Sequence, residues 1–124
     1  MKIEVANGEV VDKYTILTIK LEKVSEPSKL ENIRREFDLL DKALDTLEIA
    51  RNDADLLALR EVNLKLWEIE DAIRRLEAEK RFDQTFVELA RSVYINNDQR
   101  AELKRRINLK TGSALFEEKA YAPY

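Results

Sequence analysis

The chain has no cysteine and no histidine among its 124 residues. Without cysteine there is no disulfide and no thiolate chemistry. Without histidine the commonest general base and the commonest metal ligand are lost together. Any catalysis would fall to carboxylates, Lys, Arg, Tyr, Ser, Thr or a bound cofactor. Glycine and proline are scarce, with 2 of each, so long elements with little internal punctuation are expected. No apolar run reaches the roughly 18 residues that mark a membrane span. Met1-Lys2-Ile3-Glu4 lacks the apolar stretch of a secretion signal, and the expected location is cytoplasmic. Neither sign of charge dominates: 22 basic residues face 25 acidic ones, for a net charge of -3. That balance argues against a general nucleic-acid binder. The basic residues are also not interleaved with aromatic platforms for base stacking.

Length and composition fit one domain spanning residues 1–124. Lys2–Val5 alternate and predict a short strand, and Asn7-Gly8 marks a turn or a helix entry. Val10, Tyr14, Leu17, Leu21 and Val24 then recur in steps of four and three, the stripe of a helix. Ile16 and Ile19 widen its apolar face and predict deep burial. Ser25-Glu26-Pro27-Ser28 breaks this helix and opens the next, with Pro27 suited to a first helical turn.

The next two stripes are the most regular. Leu30, Ile33, Phe37, Leu40, Leu44 and Leu47 predict a helix over about 27–50, roughly 36 Å long. Leu59, Val62, Leu66, Ile69, Ile73 and Leu76 predict another over about 54–81, capped by Asn52 or Asp53. Matching seams across a short corner predict a long antiparallel, coiled-coil-like hairpin. Phe82, Phe86, Leu89 and Val93 start a fourth helix near Asp83. Asn96-Asn97-Asp98 is expected to end it and cap a fifth, which carries Leu103 and Ile107 and stops at Gly112. Aromatic residues in Ser113–Tyr124 predict a tail docked on the body or on a partner. The expected class is therefore all-α, with an N-terminal helix and two or three shorter C-terminal helices around the hairpin. Seams of this length also predict a homodimer.

Three constellations are candidates for chemistry. Six cations (Arg91, Arg100, Lys104, Arg105, Arg106 and Lys110) face only Asp98 and Glu102 between residues 91 and 110. Asn97, Arg100, Lys104 and Asn108 share one helix face, and Arg91 and Tyr94 stand one turn apart across the expected corner. Helix N–H groups exposed at that corner would complete an anion site. The candidate ligand-binding residues are therefore Arg91, Tyr94, Asn97, Arg100, Lys104 and Asn108, for a phosphorylated or carboxylated ligand. A second polar row, Asn63, Trp67, Glu70 and Arg74, follows steps of four, three and four. Its simpler reading is an i,i+4 ion pair, a groove-filling indole and a register-setting amide. Third, Asp38 and Asp41 would face Glu68 and Asp71 across the hairpin. No resident metal is the preferred reading, and Mg²⁺ held by these four carboxylates is the alternative.

The acidic foursome is similar to the ExxE…ExxD layout of all-helical nucleoside triphosphate pyrophosphohydrolases, with Asp38 and Asp41 standing where that family uses Glu. A looser fold likeness links the chain to small helical chorismate mutases, in which Arg and Lys bind a dicarboxylate. A broader resemblance rests on Gly8-Glu9-Val10-Val11-Asp12-Lys13, Thr15-Ile16-Leu17, Trp67-Glu68-Ile69-Glu70-Asp71, Leu89-Ala90-Arg91-Ser92-Val93-Tyr94, Asn97-Asp98 and Glu117-Glu118-Lys119. It resembles an uncharacterised family of small helical bacterial and phage proteins, sometimes found near sugar-transferase or surface-polysaccharide genes. That resemblance implies a helical domain and no established activity. The expected function is a non-enzymatic binding or assembly module with a basic anion-binding corner, whose partner is an anionic small molecule or a protein. The alternative is a small enzyme acting on a nucleotide, a sugar phosphate or another anionic metabolite, with Glu70 or Asp71 as base or Mg²⁺ ligand.

Overall fold

The computed structural model describes residues 1–124 and contains four helices and no strand: α1 (Asn7–Lys23), α2 (Pro27–Thr46), α3 (Ala54–Ala78) and α4 (Gln84–Thr111). The all-helical expectation is met. Lys2–Val5, expected as a strand, is an exposed segment without regular structure. Pro27 stands in the first turn of α2. Asp53 caps α3, its side chain accepting from the Asp55 and Leu56 amides at 3.0 Å each. Asp83 caps α4, accepting from the Phe86 amide at 3.2 Å. Each cap satisfies amides that a helix start leaves unpaired.

α2 and α3 stop three to four residues short of the bounds predicted from their stripes. Beyond each stop the chain turns through a left-handed residue, Glu48 (φ 56°) or Lys80 (φ 56°). The Ile49 amide then donates to Leu44 O at 3.0 Å, and the Arg81 amide to Leu76 O at 2.9 Å. These are Schellman-type ends. Because neither uses glycine, composition gave no stop signal there. The third end, at Gly112 (φ 65°), does use glycine and falls where expected.

Helix pairing differs from the expected hairpin. No Cα atom of α2 lies within 8 Å of one in α3. α2 folds back on α1 across a three-residue turn, with Tyr14 stacked on Phe37 at 5.4 Å. α3 instead pairs antiparallel with α4, and Lys110 near the end of α4 reaches Asp53 and Asp55 at the start of α3. The reason lies in α1: it packs against all three other helices and fills the space between α2 and α3. Its Val11 and Tyr14 join Leu44, Leu56, Leu59, Val62, Leu103 and Ile107 in one core. Arg51 fixes the α2–α3 corner by donating to Asp41 Oδ1 (3.0 Å), Asp45 Oδ1 (2.7 Å) and the Asp41 carbonyl (2.6 Å).

A single 28-residue α4 replaces the expected short C-terminal helices. Asn96-Asn97-Asp98 lies inside it. The Asn96 side chain points back and donates to Ser92 O at 2.8 Å, within its own helix, and α4 runs on through it. From Leu64 to Glu102 only Leu76 is buried, so α3 and α4 extend as a two-helix arm with a half-covered seam.

Candidate functional site: a polar hub under the C-terminal strap

Asp12 lies on the inward face of α1 among Val11, Tyr14 and Thr15, and is 1% exposed. An unpaired carboxylate there would be costly. Arg100 on α4 meets it with both prongs, Nε to Oδ1 at 2.9 Å and Nη2 to Oδ2 at 2.5 Å. Asn63 on α3 donates to Asp12 Oδ1 and to Thr15 Oγ1, both at 2.9 Å, and Thr15 Oγ1 donates to the Asp12 carbonyl at 2.7 Å. Three helices are thereby joined through one carboxylate, and no buried side-chain polar atom in the protein lacks a partner.

One turn along α4, Lys104 is buried between Glu9 (2.9 Å) and Glu117 (2.6 Å). Burial works against its charge, but the bonds to Glu117 and Glu9 outweigh it and hold the ammonium above the ordinary lysine range. The same bond from Lys104 depresses the Glu117 carboxyl, with burial opposing. A further turn along, Asn108 Oδ1 accepts from the Gly8 amide at 2.6 Å. Gly8 is required there, since a Cβ would overlap the Lys104 carbonyl oxygen. The backbones of α1 and α4 approach closely at this glycine.

The remaining chain folds back along α4 as an extended strap. Ser113 anchors it by accepting from the Asn7 amide at 3.0 Å. Past Ser113 no backbone–backbone hydrogen bond ties the strap down, and only the Leu115 carbonyl accepts, from the Ser113 hydroxyl at 2.7 Å. Side chains hold it instead. Phe116 lies 5.8 Å from the Arg105 guanidinium, Glu118 meets Arg105 at 3.1 Å, and the Tyr124 hydroxyl donates to Asp98 at 2.5 Å. Tyr124 also tilts against Tyr94 at 5.0 Å. A cleft of about 220 Å³ runs between strap and helix, lined by Lys104, Arg105, Asn108, Glu117, Glu118 and Lys119 among others.

The six expected ligand-binding residues divide. Arg100, Lys104 and Asn108 share the inward face of α4, but each is engaged by α1 or the strap. Arg91 stands exposed at the surface beside Glu88 (3.2 Å), Tyr94 supports Tyr124, and Asn97 is half-buried along the helix. The expected corner with free helix N–H groups is absent because α4 is continuous there. In the second row, Glu70 and Arg74 form an exposed i,i+4 pair at 2.7 Å, Trp67 is half-buried, and Asn63 bonds α1. Asp71 is exposed. Asp38, Asp41, Glu68 and Asp71 do not converge: Asp41 is taken by Arg51, Asp38 is exposed on α2, Glu68 and Asp71 are exposed on α3, and no group of three or more acidic side chains is placed to hold a cation. α1, inserted between α2 and α3, keeps those carboxylates apart.

Sequence reasoning passed over Gly8, Glu9, Asp12, Thr15 and Glu117. The signal was present: Asp12 sits on the apolar side of the α1 stripe, and Gly8 and Asp12 repeat the four-residue step of Arg100, Lys104 and Asn108. No helix is long and apolar enough to cross a membrane. Among curated proteins and solved structures, none matches the chain. A family profile covers residues 1–124, the whole polar hub and strap included, and the chain belongs to that family of unknown function, DUF6165.

Proposed function

We propose that this chain is a binding and assembly module rather than an enzyme, with two copies pairing through the α3–α4 arm into a four-helix bundle. The supporting observation is the arm itself. Leu66, Ile69, Ile73, Phe86, Leu89 and Val93 are only half-buried, and Phe82, Val87 and Ile95 stand exposed. Two helices cannot enclose a seam of this width, whereas two such hairpins can. The body, by contrast, encloses the nine-residue buried core, and no buried side-chain polar atom lacks a partner. The anion-binding part of this reading draws on Lys104 and Arg105, which already hold the carboxylates of Glu117 and Glu118. Glu70 and Asp71 lend no comparable support to an enzyme, since one is held by Arg74 and the other is exposed on the arm.

Sedimentation velocity over a range of protein concentrations tests the assembly. A dimer is expected for the wild-type chain, and Phe82→Glu with Val87→Glu should give a folded monomer because both side chains are exposed in the single copy. A wild-type protein that is monomeric throughout, with full helical signal, would refute the reading.

A further inference from the structure

The strap combines firm recognition with weak attachment. Residues 114–124 make no backbone–backbone hydrogen bond and include no buried residue; their one backbone tie to the body is the Leu115 carbonyl, which accepts from the Ser113 hydroxyl at 2.7 Å. What they do contribute is a pattern matched position by position on α4. An aromatic ring lies beside the Arg105 guanidinium, one carboxylate sits on Lys104, the next on Arg105, and a terminal tyrosine reaches Asp98 and Tyr94. Lys104 gives this surface a built element, because its side chain is only 9% exposed and its ammonium is aimed at the strap.

Resting on the binding reading above, we propose that the α4 face beneath the strap is a peptide-docking groove. Its partner is an extended acidic segment in which an aromatic residue directly precedes two carboxylates, and the strap Phe116-Glu117-Glu118 occupies it in cis. Charge complementarity selects this occupant: Lys104 and Arg105 present two cations to the adjacent carboxylates of Glu117 and Glu118, and the Arg105 guanidinium lies over the Phe116 ring. The tethered strap competes at an effective concentration on the order of millimolar, so a free peptide sees a mostly closed groove. Partner binding therefore requires strap release.

The probe is a fluorescently labelled peptide with the sequence of residues 114–124, titrated into the full chain and read by anisotropy. The Glu117→Gln/Glu118→Gln chain, its own strap weakened, should bind the peptide about fivefold to tenfold tighter than wild type. Adding Arg105→Glu should abolish that gain. A peptide with both glutamates replaced by glutamine should bind neither chain. Tyr124→Ala, which frees the far end of the strap, gives a second variant if the first melts abnormally by circular dichroism. Equal affinity for wild type and both weakened variants overturns the proposal, and so does equal binding of the glutamine peptide. Displacement of the peptide by inorganic phosphate, at an ionic strength where chloride has no effect, overturns it in favour of a simple anion site. Loss of peptide binding with the dimer intact by sedimentation overturns the groove alone; a monomeric chain that binds the peptide overturns the arm-mediated assembly alone.

Discussion

Replacing Arg100 by Ala should destabilise the protein far more than any other single loss of charge on α4. Asp12 is 1% exposed and takes two of its three side-chain bonds from that guanidinium. Once Arg100 is gone, only Asn63 still donates to the carboxylate, which stays buried and charged. Stranding one member of a buried pair costs about 3–5 kcal/mol. The Arg100 side chain is 30% exposed, so water reaches the vacated site and the lower end applies, about 3 kcal/mol. For a chain of this length that corresponds to a fall in melting temperature of roughly 10–15 °C. Urea unfolding of the wild-type, Asp12→Ala, Arg100→Ala and double variants measures it. The double variant should lose less than the sum of the singles, by more than about 1 kcal/mol, because it strands nothing. A loss below about 1 kcal/mol, or additive singles, would refute the reasoning.

Gly8→Ala places a methyl group on the Lys104 carbonyl, a backbone atom that cannot turn aside. It should cost about 1–3 kcal/mol in urea unfolding, and a neutral result would mean that α1 and α4 are not in close approach. Lys80→Gly relieves a left-handed residue at the end of α3 and should raise the melting temperature, by about 0.5–1 kcal/mol of stability; a lower melting temperature would count against that turn. Because Glu117 has a lowered pKa when folded, its pairing with Lys104 stabilises the strap fully above the ordinary glutamate range. That contribution is lost as pH falls through the depressed value. Amide NMR signals of residues 114–124 should accordingly move to free-chain positions in acid while the helices persist, and a strap unmoved after Glu117 has titrated would contradict the pair.

α1, α2 and α3 were legible because each of their stripes repeats in threes and fours over five or six positions, while α4, with a shorter stripe and a polar run in its interior, was misread as two helices. Asn96-Asn97-Asp98 reads as a corner because its side chains favour caps. In the folded chain α4 continues through it, with Asn96 bonding its own helix. Glu48 and Lys80 end helices in a conformation usually given to glycine, so no local signal marked them. The cation row of α4 was legible, but the carboxylates that meet it were not. Spacing put Arg100, Lys104 and Asn108 on one face but carried no information on which carboxylates lie opposite.

Periodicity, composition and capping residues thus determined by themselves that this is an all-helical chain, that Pro27 opens one of its helices and Asn52 or Asp53 another, and that its chemistry excludes thiol and imidazole. Those properties depend on neighbours within a turn or two. Only the tertiary structure decided that α1, and not α3, packs against α2, that the acidic positions stand apart, and that Asp12, Glu9 and Glu117 neutralise the basic row. Those outcomes depend on residues from different segments meeting across helix faces, from 13 positions apart for Lys104 and Glu117 to 100 for Gly8 and Asn108. A seam that fits several partners equally well is settled only when burial of Asp12 demands the one arrangement that supplies both Arg100 and Asn63.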